Sequence, residues 1–336
     1  MHKYDPLMPI INNMDETEPA LGFKPNNDFD EWKSKAYAKL CELTGYDRFI
    51  KVDAQYKAEY RHEHENYTEI RFTMMTEASC EMPCYLLIPN GVKSPPLMVC
   101  LQGHGTGMHV STGRVKFKRD KKSVEGGRDF AVQAIAHGMA ALCIEQRGFG
   151  ERKQDPDEMM PQCHIPAMSE ILIGRTLIGA RVWDVSRALD VIEQEFPEID
   201  SDKVYIVGNS GGGTASYYTA CLEPRIKALM PSCAVSSYRY SIAIMKHCVC
   251  NHIPHIREFF EMGDLAGLIA PRPMVVVAGR YDKTFPLDGV LDAHAKISTI
   301  YKHLGYEQNA PLVIGEQGHQ FYPELAWPNF LELLKG

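Results

Sequence analysis

The chain has 336 residues, 45% hydrophobic and 24% charged, with a formal net charge of -7 at pH 7. That length buries a sizeable core as one large α/β domain with extensions or as two smaller domains, and it needs no staples. The negative balance excludes a nucleic-acid or anionic-membrane surface, and no run approaches transmembrane length.

Ten cysteines spread from Cys41 to Cys250, several of them inside apolar runs, read as buried free thiols in a reducing compartment. The opening Met1-His2-Lys3-Tyr4-Asp5-Pro6 puts an acid and a proline where a secretory signal needs an unbroken apolar stretch. A cytoplasmic protein is therefore expected.

Residues 1 to about 28 are rich in Pro, Asn and acids without periodicity, which predicts an extended arm over the surface or over a neighbouring subunit. A short helix from Asp30 to Leu43 follows. Alternation such as Tyr67, Glu69, Arg71, Thr73 predicts one strand from Tyr56 to Thr76 with a wet face, and Pro83 to Pro89 its hairpin partner. Together they would form an antiparallel edge. His62-Glu63-His64-Glu65 alternates on that strand and reads as a solvated edge, not a site. The expected organisation is an arm and helix over residues 1–55 and a main domain over residues 56–336.

After Pro95-Pro96 apolar strands alternate with helices: strand Leu97 to Leu101, helix Asp129 to His137, strand Met139 to Ile144, a long helix from near Leu172 to Phe196, and strand Val204 to Val207. Ile178, Val182, Val185, Leu189, Ile192 and Phe196 recur at steps of four and three, one buried stripe on that long helix. Ile226 to Met230, Met274 to Ala278 and Pro311 to Ile314 supply three more strands. The alternation predicts right-handed crossovers, a mostly parallel sheet and helices on both faces. Residues 151–168 and 236–268 break the pattern after strand carboxyl ends, where open α/β sheets place ligands, so they are candidate caps. Trp183 and Trp327 read as helix-borne core or interface residues.

Directly after Val204–Val207 stands Gly208-Asn209-Ser210-Gly211-Gly212, a strand, a tight elbow and a helix that expose a serine. Ser210 is the candidate nucleophile. A serine hydroxyl needs a base, and the base needs an orienting acid. Met274 to Ala278 runs through Gly279 to Asp282, and Pro311 to Ile314 through Gly315 to His319, so acid and base follow the nucleophile in chain order, each after its own strand. His319 Nε2 would take the Ser210 proton while Nδ1–H donates to Asp282. The oxyanion hole is expected from the Gly211 amide and from His104 in the glycine-rich turn Gln102-Gly103-His104-Gly105-Thr106-Gly107, with Gly103 and Gly105 allowing close approach. No Gly-Lys-Ser/Thr ending follows that turn, which disfavours a phosphate loop. Arg147, in Glu145-Gln146-Arg147-Gly148-Phe149-Gly150, is expected to pin the oxyanion loop.

His247-Cys248-Val249-Cys250-Asn251-His252-Ile253-Pro254-His255 is dense in metal ligands, yet its spacing is not that of zinc knuckles and no second half follows along the chain. The expectation is no metal and no cofactor, with this segment part of the cap near His319.

These motifs resemble the α/β-hydrolase superfamily from about residue 80 onward. More narrowly, Gln102-Gly103-His104-Gly105, Arg147-Gly148-Phe149-Gly150-Glu151, the Ser210 elbow, and Asp264-Leu265-Ala266 with Ala270-Pro271-Arg272-Pro273 resemble the acetyl xylan esterase-like branch, related to dienelactone hydrolases and prolyl oligopeptidase catalytic domains. The resemblance implies an α/β-hydrolase fold and a serine esterase that takes short acyl groups, such as acetyl, from carbohydrate or a similar small substrate through an acyl-enzyme. Departures are Ser210 where dienelactone hydrolases carry cysteine, no room for a gating domain, and Phe149 and Gly211 where carbohydrate esterases often carry glutamine. The alternatives are a peptidase or amidase with the same triad and a non-enzymatic interaction module. A small-molecule ester is the expected partner, with no nucleic acid and no membrane, and the arm and edge suggest a homo-oligomer.

Overall fold

β-branched and aliphatic runs form the strands, and the alternation within each run divides the core between two faces. The computed structural model describes residues 4–155 and 157–335; the expectations that touched residues 1–3, 156 and 336 lie outside the described residues. In chain order the strands are β1 (Lys57–Glu63), β2 (Tyr67–Glu77), β3 (Cys80–Pro89), β4 (Pro96–Leu101), β5 (Ala140–Ile144), β6 (Asp200–Asn209), β7 (Ile226–Ser232), β8 (Val276–Gly279) and β9 (Leu312–Gly315). They form one nine-stranded sheet in the order β1-β2-β3-β5-β4-β6-β7-β8-β9. β1, β2, β3 and β5 pair antiparallel, and everything from β5 to β9 pairs parallel. This is the α/β-hydrolase fold, a parallel core with an antiparallel amino-terminal edge.

Within β4, Leu97, Val99 and Leu101 face one core while Met98 and Cys100 face the other, the period-two alternation of a sheet covered on both sides. The first core takes residues from the helices Phe29–Thr44, Leu177–Glu195, Gly211–Leu222 and Leu287–His303; the second takes them from Phe130–Ala136 and Pro323–Leu333. Ile178, Val182, Val185, Leu189 and Ile192 are all buried, as the stripe required. Trp327 is buried, and Trp183 stacks on Phe49 with ring centroids 5.6 Å apart. No helix among the described residues is long and apolar enough to cross a membrane.

Three local expectations are corrected. Residues 56–76 are not one strand: β1 and β2 form a hairpin that turns at Glu65-Asn66. The long helix begins at Leu177, and a separate helix His164–Leu172 precedes it. Gly174, at φ 74, breaks the run between them. The arm is not wholly extended, because Met8–Glu16 is helical. It lies over this chain's own second cap interval, where the Ala20 and Leu21 N–H groups donate to the carbonyls of Glu258 and Phe259 at 2.8 and 2.9 Å, and Asp15 pairs with Arg239.

Candidate active site

β6 ends at Asn209 and a helix begins at Gly211, so Ser210 alone makes the turn. Its φ of 58° and ψ of −126° are sparsely populated for a side chain with a Cβ and cost on the order of 1–3 kcal/mol. The flanking glycines are required by close approach. A Cβ at Gly208 would stand 2.3 Å from the Gly212 carbonyl oxygen, and one at Gly212 would stand 2.1 Å from that of Leu101.

Asp282 follows β8 and His319 follows β9, both at strand carboxyl ends. His319 Nδ1 lies 2.7 Å from Asp282 Oδ2, and the other carboxylate oxygen accepts the N–H groups of Thr284 and Phe285 at 2.8 and 3.1 Å. Burial pushes the Asp282 carboxyl upward, but the hydrogen bond and charge of His319 and the two backbone N–H groups outweigh it, leaving the acid below its ordinary range. With a proton on Nδ1 facing this carboxylate, His319 presents the Nε2 lone pair outward.

The His319 loop and the Ser210 elbow meet across Ser232 and Cys233. Ser210 N–H donates to the Ser232 carbonyl at 2.8 Å, and the Ser232 hydroxyl donates to the Gln320 carbonyl at 3.3 Å. Cys233 Sγ lies within 4.8 Å of both an Asp282 oxygen and a His319 ring nitrogen. Among the described residues no hydrogen bond joins the Ser210 hydroxyl to the His319 ring; bonds of this kind tighten when substrate compresses the pair.

The glycine-rich turn after β4 lies against the elbow. A Cβ at Gly103 would stand 2.6 Å from the Asn209 carbonyl oxygen, and one at Gly211 would stand 2.7 Å from the His104 ring. Gly105 has only the Gly103 carbonyl near it. Among the described residues, neither the His104 nor the Gly211 N–H finds an acceptor.

Arg147 does not touch this turn, which corrects the expected role. Its guanidinium pairs with Asp184 at 2.8 Å and Glu77 at 2.6 Å, tying the loop after β5 to β2 and to the helix Leu177–Glu195. The turn is held by neighbours that local patterns did not flag. Gln146 donates to the Gln102 carbonyl, and Gln102 donates to the Ser111 hydroxyl and the Arg128 carbonyl. Arg128 in turn donates to the His319 carbonyl at 2.7 Å, linking the glycine-rich turn after β4 to the His319 loop. Glu145 accepts the Met108 N–H.

The segment expected to belong to a cap lies near His319: the His247 ring packs 5.0 Å from Phe285, and Phe285 stacks on His319. His62, Glu63, His64 and Glu65 are exposed. Cys248 and Cys250 gather with Cys163 and His104, whereas His255 pairs with Glu258 on the surface. A cleft of about 840 Å³, lined by Pro273, Tyr306, Asn309 and Pro311, lies at the opposite, amino ends of β8 and β9, and Ser210 does not line it.

The sequence pattern of the Abhydrolase family matches residues 7–317. A Bacillus subtilis (strain 168) protein, YtaP, named as a hydrolase, is 24% identical over 247 residues, 70% of this chain and 77% of that protein. Among solved structures, a Bacteroides fragilis protein assigned as an acetyl xylan esterase superposes with a TM-score of 0.76 at 16% identity, covering 98% of this chain and 85% of its own. A glucuronoyl esterase from Solibacter usitatus superposes with a TM-score of 0.70 at 15% identity, covering 95% and 97%.

Proposed function

Because the chain belongs to the Abhydrolase family, we propose that it is a serine hydrolase of small carboxylic esters, with short acyl groups such as acetyl its preferred cargo. Ser210 attacks the ester carbonyl while His319 Nε2 takes the hydroxyl proton. The N–H groups of His104 and Gly211 receive the negative charge that develops on the carbonyl oxygen. The imidazolium, stabilised by Asp282, then protonates the leaving alcohol, and water on the same base releases the acid from the acyl-enzyme.

The observation that carries this reading is the 2.7 Å contact between His319 and Asp282 at the strand carboxyl ends, beside a serine held at positive φ on the adjoining elbow. Two unpartnered N–H groups next to that serine support the oxyanion assignment. The names of the structural neighbours, acetyl xylan esterase and glucuronoyl esterase, support an ester over an amide. Ten free thiols suit a cytoplasmic setting.

A fluorophosphonate probe, followed by a substrate panel, tests it. Ser210 is expected to be the labelled residue, and acetyl and glucuronoyl esters to turn over faster than aminoacyl-arylamides. Ser210→Ala is expected to lower kcat by about 10⁶-fold with the fold retained. Faster arylamide cleavage would make the enzyme an amidase, and an unlabelled, inert protein would remove the hydrolytic reading.

A further inference from the structure

Cys248 and Cys250 flank Val249 on a short turn of the second cap interval, Cys163 precedes the helix His164–Leu172 in the first, and His104 belongs to the turn after β4. Distant in sequence, these segments bring three sulfurs and one imidazole nitrogen within 4.8 Å of one another. His104 Nε2 and Cys250 Sγ are 3.1 Å apart. A tetrahedral zinc ion, with Zn–S of about 2.3 Å and Zn–N of about 2.0–2.1 Å, spaces such ligands about 3.6–3.8 Å apart. Four soft or borderline donors gathered within 4.8 Å of one another, two of them buried cysteines, match the Cys₃His set of structural zinc. No second half follows Cys248-Val249-Cys250 along the chain; Cys163 and His104 supply it across the fold.

Charge points the same way independently. Arg181 is completely buried, and among the described residues its guanidinium pairs with no carboxylate. It points one nitrogen at Cys250 Sγ and another at Cys163 Sγ, both at 3.4 Å, and one of them also donates to the Arg147 carbonyl at 3.0 Å. Its Nε has no partner. A buried cation without a counter-charge costs several kcal/mol, and neutral thiols are only weak acceptors. Three thiolates and a neutral imidazole around one divalent ion carry a net charge of -1, which this guanidinium offsets.

We propose that His104, Cys163, Cys248 and Cys250 form a closed, structural zinc site. On binding, the ion replaces the thiol protons, up to three of which leave to solvent, and no redox change occurs. All four positions are filled by protein, so the ion stitches both cap intervals to the turn that carries His104 and does not act on substrate. The site stands on its own geometry. Only its consequence for catalysis, a fixed His104 N–H, rests on the hydrolytic reading.

The test is elemental analysis with thiol titration of the full chain, purified without chelators or a polyhistidine tag. About one zinc per chain is expected, falling below about one tenth in Cys163→Ser and Cys250→Ser. Because those variants can fail to fold, the chelated wild type is also titrated with Co²⁺. One equivalent is expected to produce thiolate-to-cobalt charge-transfer absorption and the visible bands of a tetrahedral centre. Ser210→Ala should bind the metal in full, so this proposal and the hydrolytic one fail separately. A folded wild type that takes up neither ion stoichiometrically, zinc retained in the folded cysteine variants, or a disulfide among the three cysteines overturns the site.

Discussion

The two oxygens of Asp282 are not equivalent, and that asymmetry governs what a conservative change there does. Oδ1 is committed to the N–H groups of Thr284 and Phe285 and Oδ2 to His319 Nδ1. In Asp282→Asn the amide oxygen keeps the two backbone donors, which turns the NH₂ group toward the ring. The imidazole must then accept at Nδ1 and carry its proton on Nε2, the wrong tautomer for deprotonating Ser210. A loss of about 10⁴ in kcat at neutral pH is expected, with KM and the thermal midpoint changed little; steady-state kinetics beside a thermal melt checks both. A drop of less than about tenfold would mean that another acid orients His319.

At the scale of elements, the elbow works because a helix amino terminus is pressed onto two strand ends. In Gly212→Ala the new methyl would meet the Leu101 carbonyl at 2.1 Å, and a backbone atom cannot swing aside as a side chain can. The helix Gly211–Leu222 would have to move from β4, at a cost of about 1–3 kcal/mol, read as a lower urea midpoint with an unchanged m-value. These elements were legible because each member of the proposed triad follows its own apolar run: β6 leads to Ser210, β8 to Asp282 and β9 to His319. The hairpin of β1 and β2 was not, because His64-Glu65-Asn66 has no glycine and continues the polar alternation through the turn. Gly174 stops a helix whose apolar residues run on toward Leu172, and the helix Met8–Glu16 is too short for periodicity to reveal. The roles of Arg147 and Arg128 and the gathering of Cys163 with Cys248 and Cys250 depend on which loops meet over the sheet, which residue spacing does not encode.

At the scale of the whole molecule, the buried carboxyls of Asp184 and Glu145 respond to pH with opposite sign. Asp184 is buried, which raises its pKa, but the charges of Arg147 and Arg152 more than reverse this and bring it to about 2. Its contribution to stability is therefore present above its unfolded value of 3.8 and is lost as pH falls toward 2. Among the described residues no cation is in hydrogen-bond contact with the Glu145 carboxylate; Gly107 and Gly150 close around it, and the hydrogen bonds it accepts there come from the backbone N–H groups of Met108 and Glu151. Burial dominates and pushes its pKa from 4.5 to about 7. The folded state then binds more protons than the unfolded chain between those values, so this group favours folding below about pH 4.5 and its contribution is lost as pH rises through about 7. The shift corresponds to on the order of 3 kcal/mol. Glu145→Gln cannot ionise, so replacing the acid adds a pH-independent offset for altered hydrogen bonding and removes the pH-dependent part. Urea unfolding of both proteins from pH 4.5 to pH 8 should show the variant gaining on the wild type by an amount of that order, most of it before pH 8. Parallel stability curves would mean that Glu145 titrates alike in both states, and that solvent reaches the cradle holding the loops after β4 and β5 together.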